Sequence, residues 1–230
     1  MTEAVVFDFD GVLADTEALH LRAFQAIFRD RGWTLDRATY FDRYLGYDDH
    51  DLVVAYADDG RLPVTRAEIR QIVDRKIEWF ERERSKGALL FPTAAGAIAR
   101  LGACYALAIA SGSLGAEITA ILEPAGLTAA FQVIVGADSV ARSKPAADPY
   151  LLAVQKLGVG PTAAVAIEDS RWGLTSARTA GLRTIGITTS YPAAALRDAD
   201  IIVASLDEVT VALVAGLLAR RPAVPGPGPA

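Results

Sequence analysis

The chain has 230 residues, 52% of them hydrophobic and 22% charged, with a formal net charge of -5. That is enough apolar sequence for a sizeable core and for one large domain or a domain with an insertion. Both signs of charge are interspersed without a basic stripe, which argues against nucleic-acid binding, and the single cysteine, Cys104, excludes an intramolecular disulfide or a four-cysteine zinc site.

The first apolar run, AVVF, has the continuous, β-branched character of a strand buried on both faces. Asp8 and Asp10 follow at its C-terminal end, and Gly11 lets the backbone turn. Two carboxylates so close repel each other, and a divalent cation with a preference for oxygen ligands, such as Mg²⁺, would hold them. From about Thr16 to Gly87 the pattern is helical and rich in charge: EALHLRAFQAIFRDRG, RATYFDRYLG, DDHDLVVAYADDG and TRAEIRQIVDRKIEWFERERSKG. Aromatic residues here (Trp33, Tyr40, Tyr44, Tyr47) read first as a small core of their own and second as a pocket lining, and DDHD reads as a solvated helix start.

Further strands are expected at YALAIAS, QVIVG, AVAIED, RTIGIT and DIIVA, with helices GAEITAILEPAG, PYLLAVQKLG and SRWGLTSARTAG between them. Gly126, Gly158 and Gly181 close these helices. Cys104, in GACYALAIAS, reads as core filler, and Arg171 and Trp172 as locally packed residues. Strands alternating with helices predict an α/β fold, a doubly wound parallel sheet with ligands at the C-terminal strand ends. The expected division is a core of residues 1–15 and 88–219, an all-α helical insertion over 16–87 and a disordered tail over 220–230, rich in Pro, Gly and Ala. No signal peptide or membrane span is apparent, so a soluble cytoplasmic protein is expected, with nothing that demands more than a monomer.

The polar residues that end the predicted strands form a set. Asp8 and Asp10 end the first, Ser111 with Gly112 and Ser113 the second, Glu168 and Asp169 the fourth, and Lys144 follows the third in ARSKPAADPY. Singly, each is explained by capping, turns or solvation. Jointly they suit phosphoryl transfer: carboxylates hold magnesium, one aspartate acts as nucleophile, the lysine neutralises charge, and the serine hydroxyl binds phosphoryl oxygens.

In order, DFDGVLADTE, IASGS, SKPAADPY and IEDS resemble the four motifs of the haloacid dehalogenase-like superfamily, over the chain to about Ala219. The resemblance implies a Rossmann-like core with a helical cap, as in the subclass of β-phosphoglucomutase and many sugar-phosphate phosphatases. It implies Asp8 as nucleophile, Asp10 as general acid/base, Ser111 and Lys144 as phosphoryl-group partners, and Mg²⁺ held by Asp8, the Asp10 carbonyl, Asp169 and Glu168. An aspartate at position 10 argues against dehalogenation. The similarity extends to His20, which would link cap closure to the acid/base, to Lys76, which would meet the substrate, and to Gly112 and Ser113, which would help to hold it. Asp49 stands where the mutase has an arginine for a second phosphate, and an acid there repels one. The expected function is therefore a magnesium-dependent phosphatase of a small phosphorylated metabolite, plausibly a sugar phosphate, with a phosphosugar mutase as the alternative. A noncatalytic binding protein would lack a motif residue, and none is missing.

Overall fold

The computed structural model describes residues 2–45, 47–84 and 89–219; the expected tail lies outside them. Six strands, β1 (Ala4–Phe7), β2 (Ala106–Ala110), β3 (Val133–Val135), β4 (Ala164–Glu168), β5 (Arg183–Ile187) and β6 (Ile201–Val203), form one sheet in the order β3-β2-β1-β4-β5-β6. Every pairing is parallel. Phe7 lies level with Ile109 on one side and Ile167 on the other, so the polar residues after these three positions emerge side by side.

The central strands present a large and a small face. Val5, Phe7, Leu107, Ile109, Val165 and Ile167 belong to one buried cluster. It is completed by Ile98 and Leu101 of α5 (Ala94–Gly102), Ile118 and Leu122 of α6 (Gly115–Leu122), and Val214 and Leu217 of α9 (Val211–Leu218). The opposite face is mostly alanine: Ala4, Ala108, Ala110, Ala164 and Ala166 with Val6. Short side chains let α7 (Asp148–Leu157) and α8 (Arg171–Thr179) approach closely, and the ring of Tyr150 on α7 fills the remaining depth. The αL residues Gly126 (φ 68°) and Gly158 (φ 71°) close the segments where helix-ending glycines were expected. The sequence reading named no element for α5 or α9, whose short alanine- and leucine-rich runs carry little periodic contrast.

Between β1 and β2 run α1 (Glu17–Arg29), α2 (Arg37–Thr39) continuing into a π-helical turn at Tyr40–Tyr44, α3 (Asp49–Asp59) and α4 (Arg66–Arg84). Leu21, Phe24 and Phe28 of α1 pack with Leu52 and Val53 of α3 and Ile69 and Ile72 of α4 in a cluster separate from those of the sheet. Tyr40 and Tyr44 are buried in it, whereas Tyr47 is exposed. Asp48 caps α3 by accepting the Asp51 N–H at 2.8 Å.

Two local expectations are corrected. Cys104 is exposed, because it lies in the turn between α5 and β2, two residues before the apolar run becomes a strand. Arg171 does stack over the Trp172 ring at 4.1 Å, but it also donates to the Asp42 carbonyl in the helical insertion, and Tyr191 donates to that of Phe41. These groups tie the sheet's loops to the inserted helices.

Candidate active site

Three parallel strands end together, and their next residues converge. Asp8 lies beyond β1, with its backbone N–H on the Ile167 carbonyl at 2.9 Å and its own Oδ1 accepting the Phe9 N–H at 2.7 Å. Lys144 Nζ reaches Asp8 Oδ1 at 2.8 Å and Glu168 Oε1 at 2.6 Å. Glu168, wholly buried at the end of β4, also accepts from Tyr150 Oη at 2.6 Å and Ser170 Oγ at 3.2 Å. Ligand oxygens of Asp8, Glu168 and Asp169 all lie within 4.8 Å of one another. Burial, followed by the Glu168 charge, pushes both Asp8 and Asp169 above the usual carboxylate range. Burial works against the Lys144 ammonium, but the Asp8 and Glu168 carboxylates outweigh it and raise its pKa. One ammonium therefore faces three buried carboxylates, a donor set of hard oxygens whose residual charge a divalent cation would offset.

Glycines let these groups approach. Gly11 has φ +76°, and a Cβ there would fall 1.8 Å from Asp169 Oδ2. Gly11→Ala is expected to displace the Asp169 carboxylate and cost about 100-fold in kcat/KM, the scale of an ångström's misplacement. Circular dichroism should show the fold retained, and steady-state kinetics the loss.

Asp10 is turned away from this cluster. Its carboxylate accepts from Thr16 Oγ1, from Ser113 Oγ at 2.7 Å and from Ser111 Oγ at 3.2 Å. Ser111 Oγ in turn accepts the Ser113 N–H at 3.0 Å. Burial opposes its charge, yet the hydrogen bonds and charge of His20, with Ser113 and Thr16, hold its carboxyl well below the usual range. Gly112, half-buried, lines the same cleft.

The inserted helices supply the other wall. His20 of α1 places Nε2 3.5 Å from Asp10 Oδ1, and Lys76 of α4 places Nζ 2.8 Å from His20 Nδ1. An ammonium can only donate, so Nδ1 accepts and the ring carries its proton on Nε2, toward Asp10. Lys76 is 1% exposed and also donates to Asp49 Oδ2 at 2.8 Å. Asp49 thus holds a cation that is already engaged.

Two residues around Asp10, one in the cleft and one buried behind it, were not singled out from the sequence. Glu17 opens α1 and accepts from Tyr40 Oη at 3.0 Å; burial, and then the Asp10 charge, push its carboxyl up to about 8. An acid in the first turn of a helix reads as an ordinary dipole partner, which masks it. Thr16, next to it, reads as a cap but bonds Asp10 instead.

Comparison with known proteins agrees with this arrangement. The pattern described as haloacid dehalogenase-like hydrolase matches residues 5–187. Protein CbbY of Rhodobacter capsulatus is 34% identical over 198 residues, 82% of this chain and 86% of that one. Fructose-1-phosphate phosphatase YqaB of Escherichia coli is 26% identical over 80% of this chain and 95% of that one. Among solved structures, a CbbY variant from Rhodobacter sphaeroides in complex with xylulose-(1,5)bisphosphate has a TM-score of 0.82 at 32% identity, covering 93% of this chain and 99% of that chain. A β-phosphoglucomutase from Clostridium difficile shares the fold at a TM-score of 0.85 and 20% identity, over 95% and 97% of the two chains. No helix among the described residues is long and apolar enough to cross a membrane.

Proposed function

The chain belongs to the haloacid dehalogenase-like hydrolases and is a phosphatase of that family, and from this premise we propose that it hydrolyses a small sugar phosphate in two steps through Asp8. The observation that carries this reading is the division of labour between two aspartates two residues apart. Asp8 is held by a lysine among carboxylates that could hold a metal ion, and Asp10 by hydroxyls and His20 outside them.

Asp8, Asp169 and Glu168 are the residues that would hold Mg²⁺. When bound, the ion offsets the repulsion between the phosphate dianion and the Asp8 carboxylate. An Asp8 oxygen attacks phosphorus, the P–O bond to the sugar breaks, and Asp10 gives its proton to the leaving oxygen. Asp10, ionised in the free site, takes up that proton from water as the phosphate dianion brings its charge beside it, and the hydrogen bonds that favour its ionised form make the proton leave easily. Water then attacks the aspartyl-phosphate, returning its proton to Asp10 and releasing inorganic phosphate. Lys144 neutralises charge on Asp8 and the transferring oxygens, while Gly112 and Ser113, which line the cleft, and Ser111 beneath them would bind the remaining phosphoryl oxygens. His20, fixed by Lys76, orients Asp10; both come from the inserted helices, so the acid/base is complete only when the 16–87 segment lies over the sheet as a cap.

Phosphate release from a panel of sugar monophosphates is expected to require Mg²⁺, to fall to background on chelation and to return on its addition. Release that persists at full rate in excess chelator would sink the metal assignment.

Glu17 and Tyr40 line the cleft, bonded to each other, and we assign them to the hydroxyls of the leaving sugar. Glu17→Gln, which stays neutral and hydrogen-bonding, is expected to keep KM within about threefold, whereas Glu17→Ala should raise it about tenfold, the scale of one lost hydrogen bond in a desolvated site.

A further inference from the structure

Beside the cleft lies a second cavity of about 200 Å³, between α4 of the insertion and the loops after β2 and β3. Asp49, Gly112 and Ser113 line both, so a ligand whose phosphate sits at Asp8 can extend into it. Its walls combine apolar side chains such as Val73, Ile77 and Leu114 with the acids Asp48, Asp49, Glu117 and Asp138 and with His50, whose ring lies 3.2 Å from Asp51 Oδ1; no lysine or arginine lines it among the described residues.

Glu117 is the telling member. It is 7% exposed, and its Oε1 has no hydrogen-bond partner among the described residues. The ring nitrogen beside that oxygen, His20 Nε2, stands 3.8 Å away, beyond hydrogen-bonding reach, and has no hydrogen-bond partner of its own among the described residues. A buried carboxylate oxygen left without a partner is costly, so a native site that keeps one has a use for it. The other acids are held in place: Asp138 accepts the Gly115 N–H at 2.9 Å, Asp48 accepts the Asp51 N–H, and Asp49 accepts from Lys76. None of those interactions except the last supplies a positive charge.

We propose that this cavity receives a protonated amine on the non-reacting end of the substrate, so that the preferred substrate is an amino-sugar phosphate rather than a sugar bisphosphate. The proposal rests on the phosphatase reading for the placement of the phosphate. An ammonium supplies donors to Glu117 Oε1 and compensates the acidic walls, whereas a neutral hydroxyl supplies only the donor. A second phosphate would meet several carboxylates and no lysine or arginine among the described lining residues, with His50 already beside Asp51, which disfavours it by charge.

The test separates binding from turnover. Calorimetric binding to the Asp8→Asn variant with Mg²⁺ at pH 7 would use glucosamine 6-phosphate against glucose 6-phosphate, galactosamine 1-phosphate against galactose 1-phosphate, and fructose 1,6-bisphosphate. The expected result is an aminated compound bound about tenfold tighter than its hydroxyl twin, with the bisphosphate weakest, as charge complementarity in a partly desolvated pocket predicts. Glu117→Gln in the same background should erase most of that preference and leave the hydroxyl compound within about threefold, since the amide keeps an acceptor but loses the charge. Asp138→Asn, which keeps an acceptor for Gly115 N–H, should erase part of it and serves if Glu117→Gln does not fold. No preference in either pair, no binding of either aminated compound, or a bisphosphate bound as tightly as they are, overturns the proposal. Wild-type turnover of the same compounds is read separately: an amine preference without phosphate release would end the phosphatase reading and leave the cavity assignment standing.

Discussion

Asp8→Asn is expected to abolish phosphate release from every monoester that the wild type hydrolyses, a loss of roughly 10⁴-fold or more, because it removes the oxygen proposed to attack phosphorus rather than a supporting contact. The same substitution should leave the protein at least as stable in the absence of divalent ions. Asp8 sits against Glu168 and Asp169, and burial with those like charges works against its ionised form. An asparagine keeps the acceptor for Phe9 N–H and for Lys144, and Lys144 retains its 2.6 Å partner Glu168. What is lost is one favourable pairing, and what is relieved is repulsion among buried charges, so the balance is near zero or stabilising by about 1 kcal/mol. Thermal melting without metal checks this: a variant that melts well below the wild type would show the Asp8–Lys144 pair to be a net stabilising contact. Adding Mg²⁺ should raise the wild-type Tm more than that of the variant, since binding to the folded state stabilises in proportion to affinity.

The parts of this site that the sequence makes readable are those at strand ends. An apolar run buried on both faces must stop where its side chains become polar, so Asp8, Ser111 and Glu168 announce both the end of a strand and a place on the sheet's edge. Parallel pairing then brings them together without further information. The parts that were not readable depend on helix rotation and on packing between elements. Tyr150 lies in a helical run as one more aromatic residue, yet the alanine face of the sheet draws its helix close enough for its hydroxyl to reach Glu168. Glu17 carries no periodic signal that separates a cleft acid from a helix-start acid. Asp49 was legible as an acid where a phosphate-binding cation would stand, but its bond to buried Lys76 appears only when α3 and α4 are packed. Cys104 shows the opposite failure, since apolar neighbours in sequence do not bury a residue that sits in a turn.

Lys144→Met tests the electrostatics from the other side and should have the larger effect on the fold. Lys144 is nearly buried and is the cation that touches both Asp8 and Glu168. A methionine fills similar volume but leaves those carboxylates facing each other with no positive partner, and removing one member of a buried ionic group costs about 3–5 kcal/mol. Urea denaturation at neutral pH, without metal, reads this directly. Lys144→Arg should not rescue it, because a planar guanidinium cannot take the place of a compact ammonium between two oxygens 2.8 and 2.6 Å away. Catalysis should fall by at least 10³-fold even under conditions where the variant is folded, since the charge that steadies the transferring oxygens is gone. The decisive comparison is the double variant with Glu168→Gln. If the cost of Lys144→Met is the stranding of charge, removing the charge on Glu168 as well should make the pair cost less than the sum of the two single changes, with a coupling of about 1–3 kcal/mol. Strict additivity would mean that Lys144 acts by filling space, and the charge balance assigned to this site would be wrong.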